Sequence, residues 1–456
     1  MSGSKNNSVK SAPVLRGMVR LTSLGCPKNF VDTELASASF LCAGFGLTAD
    51  DDEADIQFVN TCAFLQEARD EASEVIRDLR KWKKLRKGRK IMVAGCFVEW
   101  ASPEELEKYS YVDVWLRIDS IAEAGIAALN LYRKEKVALR DVPERPAYLY
   151  SHETPRIQLT PAHYAYLKIS DGCDNCCAYC LIPSIRGSLR SRSIESVVEE
   201  ARMLIGNGVR ELILIAQDSG GFGRDRSGEP ELAELLRQLD CLAGEFYLRL
   251  MYMHPASVND ELLTVMKGSK HLIRCIEMPL QHIAENVLKK MGRKVFEERT
   301  REVVDQIRSI GYSIRTTFLT GFPGETEEDF QKLLSYVKEV RFERLGVFAY
   351  SCEAGTPAAS FADQVDPEVG AARRDALMEA QSLISLERNR ELTGSEIDVI
   401  VDEVISKGKA IGRTLFDAPD IDNAVNLRSK RKLQTGDIVR AKVLQVSEYE
   451  LDAEIV

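Results

Sequence analysis

The sequence has no apolar run near the roughly 18 residues that a membrane-spanning helix needs, which excludes a helical membrane span. Its first 17 residues are rich in Ser, Asn and Lys and lack the apolar segment of a secretory signal. They are expected to form a disordered tail (1–17) on a cytoplasmic protein with no membrane partner. Positive charge is not in excess either: 61 Lys and Arg stand against 70 Asp and Glu, net −9. That balance disfavours nonspecific adhesion to nucleic acid. A phosphate-binding glycine fingerprint is also missing, because Gly220-Gly221-Phe222-Gly223 lacks the spacing. What remains is 456 residues with 45% hydrophobic and 29% charged content. This is ordinary for a protein of two to four domains of about 100–200 residues each.

Cysteine is the informative residue. Cys173, Cys177 and Cys180 stand at C-x3-C-x2-C spacing in Asp171-Gly172-Cys173-Asp174-Asn175-Cys176-Cys177-Ala178-Tyr179-Cys180, just after an expected strand. Thiolates are soft ligands for zinc or iron-sulfur clusters, and a dense loop of them without a secretory signal argues against a disulfide framework. A structural zinc site wants four ligands, usually two separated Cys-x2-Cys knuckles. Here Cys173/Cys176 and Cys177/Cys180 abut, which leaves little room to present four thiolates tetrahedrally. A three-thiolate site with one open iron suits chemistry better, with Cys176 as a rival ligand.

The chain before that loop alternates strand and helix. Strands are expected at 19–24, 55–60 and 90–94 and helices at 31–43 and 64–79, a parallel sheet whose ligands gather at the carboxyl ends of its strands. Each of those ends carries a cysteine: Cys26, Cys62 and Cys96. Three thiols at equivalent positions favour a second ligand set. Cys42, Cys241, Cys275 and Cys352 have no such context and are expected in the core. The basic stretch 77–90 reads as a solvated helix end rather than an RNA-binding patch.

A segment without helical or strand period, 136–160, is expected to be a linker. Six strands follow, at 164–170, 211–216, 246–252, 273–278, 313–320 and 345–351, with helices at 194–205, 230–239, 298–310 and 326–340. Six β/α units make an open barrel, with functional groups on the loops after the strands. His254 and His282 on those loops are expected to serve structural hydrogen bonds. From residue 394 the period becomes twofold, as in a small all-β barrel. From Thr393 onward it carries 12 Asp and Glu against 9 Lys and Arg, net −3, the sign that suits a basic protein partner.

With these parts in view the chain resembles the radical S-adenosylmethionine (SAM) methylthiotransferases. The matching order is a methylthiotransferase N-terminal domain (18–135), a radical SAM domain (161–392) and a TRAM domain (393–456). Leu24-Gly25-Cys26-Pro27-Lys28-Asn29, Ile182-Pro183-Ser184-Ile185-Arg186-Gly187 and Asp417-Ala418-Pro419-Asp420-Ile421-Asp422 are similar to motifs of the RimO-type branch, which modifies an aspartate of the twelfth small-subunit ribosomal protein. Asp218-Ser219-Gly220-Gly221-Phe222 departs from that branch's usual Asp-Thr-Thr-Arg-Tyr.

The resemblance implies an α/β N-terminal domain, an open (β/α)6 radical SAM barrel and a TRAM barrel. It implies two 4Fe-4S clusters, one on Cys173, Cys177 and Cys180 with SAM on its open iron, the other on Cys26, Cys62 and Cys96. Tyr179, Gln281 and Glu325 are the expected SAM contacts, and Arg186 is expected to pair with the substrate carboxylate. The implied partners are the ribosomal protein, free or in the ribosome, an electron donor such as flavodoxin or ferredoxin, and a sulfur donor, with the enzyme a monomer. Two other functions compete with this one: methylthiolation of a tRNA adenosine, and a zinc-stabilised RNA-binding module without catalysis.

Overall fold

The structure is a computed structural model that describes residues 15–133 and 145–456. Most of the expected tail therefore lies outside the described residues, but its last residues are not loose. The Arg16 amide donates to Gly44 O at 3.0 Å and the Gly46 amide to Gly17 O at 2.9 Å. Of the expected linker, 136–144 lies outside the described residues, and 145–160 contains neither helix nor strand. Among the described residues no helix is long and apolar enough to cross a membrane.

The N-terminal unit is a parallel sheet of β1 (Met18–Ser23), β2 (Gly46–Leu47), β3 (Ile56–Thr61), β4 (Lys90–Gly95) and β5 (Val114–Leu116), in the order β2-β1-β3-β4-β5. Strands covered on both faces need near-continuous apolar runs, and Ile56, Phe58 and Val59 of β3 and Ile91 to Ala94 of β4 are completely buried. β2 and β5 are two and three residues long, too short to show a period in the sequence.

Helix α1 (Pro27–Cys42) follows β1 with Pro at its first position, where the missing amide costs no helical bond. Helix α2 (Gln66–Leu85) runs past the expected end at 79 because Trp82 continues the buried face of Ile76 and Leu79. Its basic end is structural. Lys83 pairs with Asp113 at 2.6 Å, Arg86 with Asp55 at 3.1 Å, and the buried Arg89 stacks 4.5 Å from the Trp82 ring centroid.

The second unit opens with β6 (Tyr164–Lys168) and a two-stranded ribbon of β7 (Ser170–Asp171) and β8 (Arg190–Ser191). β6 then joins β9 (Glu211–Ile215), β10 (Tyr247–Leu250), β11 (Leu272–Glu277), β12 (Ser313–Thr320) and β13 (Arg344–Ala349) in a six-stranded parallel sheet of order β13-β12-β11-β10-β9-β6. One apolar core runs through it, including Leu214, Leu250, Ile276, Ile314 and Phe318. The 25-residue helix Pro367–Glu391 escaped the sequence reading because charges fall on nearly every turn. It is fixed by Leu377 and Ile384, which enter the barrel core, and by polar contacts: Gln381 Nε2 donates to Phe342 O at 3.0 Å and Arg388 Nε to Arg341 O at 2.9 Å.

The chain ends in a closed barrel of β14 (Glu396–Ser406), β15 (Lys409–Thr414), β16 (Ala424–Arg428), β17 (Ile438–Val446) and β18 (Glu450–Ile455). Alternate residues Val399, Val401, Val439, Ala441, Leu451 and Ala453 fill it. Two acids of its 417–422 motif, Asp417 and Asp422, turn inward rather than adding to the charge that the domain presents. The motif lies against residues in the first half of the parallel strands: Asp417 pairs with Arg344 at 2.6 Å, and Asp422 with Arg315 at 3.1 Å. Arg249 ties the same loop down through Leu415 O at 2.9 Å and Asp417 O at 2.8 Å. Glu211 joins the two parts, 2.6 Å from Arg249 and 2.6 Å from Arg413. Burial pushes the Glu211 carboxyl up, but the two guanidiniums outweigh it and hold it below the usual carboxylate range.

Of the four cysteines expected in the core, only Cys275 is buried; Cys42, Cys241 and Cys352 are exposed. Cys42 is the last residue of α1, Cys241 caps the helix Leu232–Asp240, and Cys352 lies beyond the end of β13.

Candidate iron-sulfur sites

The cysteine loop leaves the carboxyl end of β6 and returns through β8, so both of its ends are anchored. Gly172 makes the first turn at φ +78°, where an added Cβ would lie 2.0 Å from Ser188 O. The Cys173 amide donates to Gly187 O at 3.1 Å, and the Leu189 amide to Asp174 Oδ1 at 2.9 Å.

Beneath the loop, Asp171 accepts from Lys168 at 3.0 Å, Arg186 at 3.1 Å and Gln217 at 2.8 Å. Burial pushes the Asp171 carboxyl up, and Lys168, Arg186 and Arg190 together drive it far below the usual range. Arg186 is only 1% exposed, so it clamps the loop rather than meeting a substrate carboxylate. Arg186→Ala should lower unfolding stability, measured by chemical denaturation, without a selective rise in acceptor KM. The loss should fall short of the roughly 3–5 kcal/mol of a whole broken buried pair, because Lys168 and Gln217 still hold Asp171.

The structure separates the loop's four thiols. Cys173, Cys177 and Cys180 are half-buried, and each is approached by an N–H donor: the Asn175 amide at 3.4 Å, Arg293 Nη1 at 4.0 Å and the Ile182 amide at 3.4 Å. Cys176 is exposed and its thiol donates to Asp174 O at 3.8 Å. Donors aimed at sulfur suit thiolates. Burial pushes the free Cys173 thiol up to about 11 and Cys180 up to about 12, so a bound cation is what would hold them ionised. These donors and the buried Arg293 fit an anionic, thiolate-held cluster. Cys176→Ala should leave iron content and SAM cleavage, read as 5'-deoxyadenosine by chromatography, at the level of the unmodified protein.

Three further residues were expected at SAM. The Tyr179 ring meets Phe322 edge-on at 6.3 Å. Gln281 sits at φ +71°, bridged to β12 through Thr317 O at 2.8 Å, with its side-chain amide unpartnered among the described residues. A non-Gly residue held in this region is a cost that functional sites tolerate. Glu325 differs: its carboxylate accepts from the Gly321 and Phe322 amides and pairs with Arg373 at 3.4 Å. Its side chain is fully buried, so it shapes the turn.

His254 and His282 serve structure, each ring accepting from the amide two residues on, at 3.1 and 2.9 Å. Burial and then the nearby Arg293, Lys294 and Arg224 push His254 down to about 2, so it stays neutral.

In the N-terminal unit the second trio is assembled around Asn29. Cys26 precedes α1, Cys62 follows β3, and Cys96 opens the short helix Cys96–Trp100. The fully buried Asn29 donates to Leu24 O at 3.2 Å and Thr61 O at 2.7 Å, and its Oδ1 lies 3.5 Å from Cys96 Sγ. Asn60 locks it by donating to Asn29 O at 2.7 Å. The glycine before Cys26 is needed for closeness: a Cβ on Gly25, at φ +87°, would lie 2.6 Å from Cys62 Cβ. One asparagine thus links the turns that carry all three thiols. The sequence reading missed Asn29 and Asn60, although Asn29 stood in a motif it had quoted.

The open parallel barrel and a three-thiol loop after its first strand define a radical SAM enzyme. The radical SAM superfamily model matches residues 167–337, the uncharacterized protein family UPF0004 matches 18–117, and the TRAM domain matches 393–456. The ribosomal protein uS12 methylthiotransferase RimO of Desulforamulus reducens is 40% identical over 444 residues, covering 96% of this chain and 99% of that one. The protein of the same name from Geobacter sulfurreducens is 40% identical over 443 residues, covering 96% and 98%. The chain belongs to the ribosomal protein uS12 methylthiotransferase RimO family.

Among solved structures, the radical SAM methyltransferase TsrM from Kitasatospora setae aligns with a TM-score of 0.53 at 15% identity, covering 72% of each chain. The cobalamin-dependent radical SAM enzyme OxsB aligns with a TM-score of 0.51 at 13% identity, covering 80% of this chain and 56% of that one. At these identities the likeness is one of fold.

Proposed function

We propose that this protein adds a methylthio group to the β-carbon of an aspartate in ribosomal protein uS12, using two molecules of SAM and a sulfur donor. The observation that carries the reading is the cysteine loop: three half-buried thiols, each facing an N–H donor, with the fourth turned out to solvent. It stands in a chain 40% identical to uS12 methylthiotransferases over nearly its full length.

In this reading Cys173, Cys177 and Cys180 hold one 4Fe-4S cluster within residues 161–392, and Cys26, Cys62 and Cys96 hold a second within 18–135. When bound, the clusters and SAM supply one-electron cleavage for hydrogen abstraction, the sulfur to be inserted and its methyl group. The chain's own part is positional. Asp171, Lys168 and Arg186 fix the loop, Tyr179 and Gln281 line the approach of SAM, and Glu325 holds the neighbouring turn. The domain 393–456, docked through Asp417 and Asp422, braces the barrel at the residues that begin its strands. An electron donor such as flavodoxin or ferredoxin and a sulfur donor complete the reaction, with the enzyme a monomer in the cytoplasm.

The test is product stoichiometry. Reconstituted protein given SAM, reductant, sulfide and uS12 should form 5'-deoxyadenosine and S-adenosylhomocysteine together, both dependent on uS12. Stimulation by tRNA instead would transfer the reading to the adenosine-modifying branch.

A further inference from the structure

Arg293 follows the helix Glu285–Lys290, outside every motif that drew attention to the cysteine loop. Its segment nevertheless forms the backing of that loop. The Ala178 amide donates to Met291 O at 2.9 Å. Gly292, at φ +71°, lies so close that an added Cβ would be 2.7 Å from Cys176 O. The next residue sends its guanidinium inward, where Nη2 donates to Pro279 O at 2.8 Å and Nη1 reaches Cys177 Sγ at 4.0 Å.

Arg293 is only 7% exposed, and among the described residues it forms no ion pair with a carboxylate. The nearby Asp218 is engaged by Asn175 at 2.7 Å and by the Gly220 amide at 3.1 Å. A buried cation without a counter-charge is costly. The other buried arginines of the unit are each paired to a carboxylate: Arg186 to Asp171, Arg192 to Glu200, Arg249 and Arg413 to Glu211, and Arg373 to Glu325. Among the described residues the acidic side chain that Arg293 Nη1 contacts is the Cys177 thiol.

We propose that Arg293 is the counter-cation of the cluster on Cys173, Cys177 and Cys180, a positioning residue that raises its reduction potential by its charge and an N–H···S contact to Cys177. This rests on the reading that those three cysteines hold the cluster. Three thiolates leave a 4Fe-4S cluster net negative, and accepting an electron makes it more so. A fixed positive charge in a water-poor site therefore stabilises the reduced form more than the oxidised one. Net charge and hydrogen bonds to sulfur are the levers by which a protein sets such potentials.

The experiment uses the full chain, reconstituted anaerobically, with Cys26, Cys62 and Cys96 replaced by Ala so that one cluster is observed. Its reduction is titrated by electron paramagnetic resonance without SAM. Arg293→Gln should keep its iron and shift the midpoint to more negative potential. At the unmodified midpoint the ratio of reduced to oxidised cluster should fall about tenfold, a shift of about 59 mV for one electron. Arg293→Lys keeps the charge but not the planar fork, and should shift the midpoint the same way by less.

An unmoved midpoint in Arg293→Gln overturns the proposal, also where SAM affinity falls, since the cation then serves SAM. Should Arg293→Gln not fold, Arg293→Met is titrated in its place, and an unmoved midpoint there overturns it equally. Failure of the underlying reading looks different: the Ala background carries no iron, or iron persists after Cys173, Cys177 and Cys180 are also removed.

Discussion

Replacing Cys173, Cys177 and Cys180 by Ala is expected to remove about half of the iron, from about eight to about four atoms per chain after anaerobic reconstitution, and to abolish 5'-deoxyadenosine formation from SAM. Removing Cys26, Cys62 and Cys96 should lower the iron by the same amount but leave SAM cleavage in place, because the loop after β6 is intact. Methylthio transfer should be lost in both. The effect on cleavage is all-or-none because Cys176, the one other thiol of the loop, is turned outward and does not substitute. Iron retained in full after loss of the first trio would contradict the assignment.

The second large effect is expected far from the cysteines. Arg249→Met leaves Glu211 with one of its two guanidiniums and frees the backbone oxygens of Leu415, Phe416 and Asp417 that Arg249 holds. Breaking a buried ion pair by removing one partner costs about 3–5 kcal/mol, to be read from chemical denaturation at neutral pH. The sign of its pH dependence follows from Glu211, whose carboxyl is held below its usual range in the folded protein. The stability this contributes is complete above the unfolded value of about 4.3 and is lost as pH falls through the lower folded value. In Arg249→Met the carboxylate is poorly compensated, and protonation relieves it. The gap between the two proteins should therefore be widest at neutral pH and narrow on acidification. A constant gap across pH would show that Glu211 is not the group left exposed to the loss. Cleavage by protease should also appear first near residues 415–422, where the docked loop is released.

The parts of this molecule that were legible in the sequence share a physical reason. Strands buried on both faces, as β3, β4 and β9 are, announce themselves as apolar runs, and β1, β12 and β13, covered less completely, still carry short apolar or β-branched stretches, so β1, β3, β4 and the six barrel strands were located within a few residues. The cysteine loop was legible because its three candidate thiols are local, eight residues end to end. The trio Cys26, Cys62 and Cys96 was legible only through topology, each thiol standing at the carboxyl end of a parallel strand. What the sequence hid were long-range polar partnerships. Arg186 looks like any arginine near a motif until Asp171 and Lys168 are seen beneath it. Glu325 looked like a ligand because nothing local shows that its carboxylate closes the turn at Gly321 and Phe322. The acidic run 417–422 was legible only as a motif, and the barrel arginines, between 73 and 168 residues away along the chain, reveal it as an anchor. Arg293 was missed for the same reason, its partner lying 116 residues earlier in the chain.

The central claim is tested most directly by mass spectrometry of the acceptor. Purified uS12, free or within the small subunit, and tRNA are each incubated with reconstituted protein, SAM, reductant and sulfide, then digested and mapped. The account predicts a methylthio increment on a single aspartate of uS12, absent when Cys173, Cys177 and Cys180 are Ala, with tRNA nucleosides unchanged. A methylthioadenosine in tRNA with uS12 unmodified would contradict it.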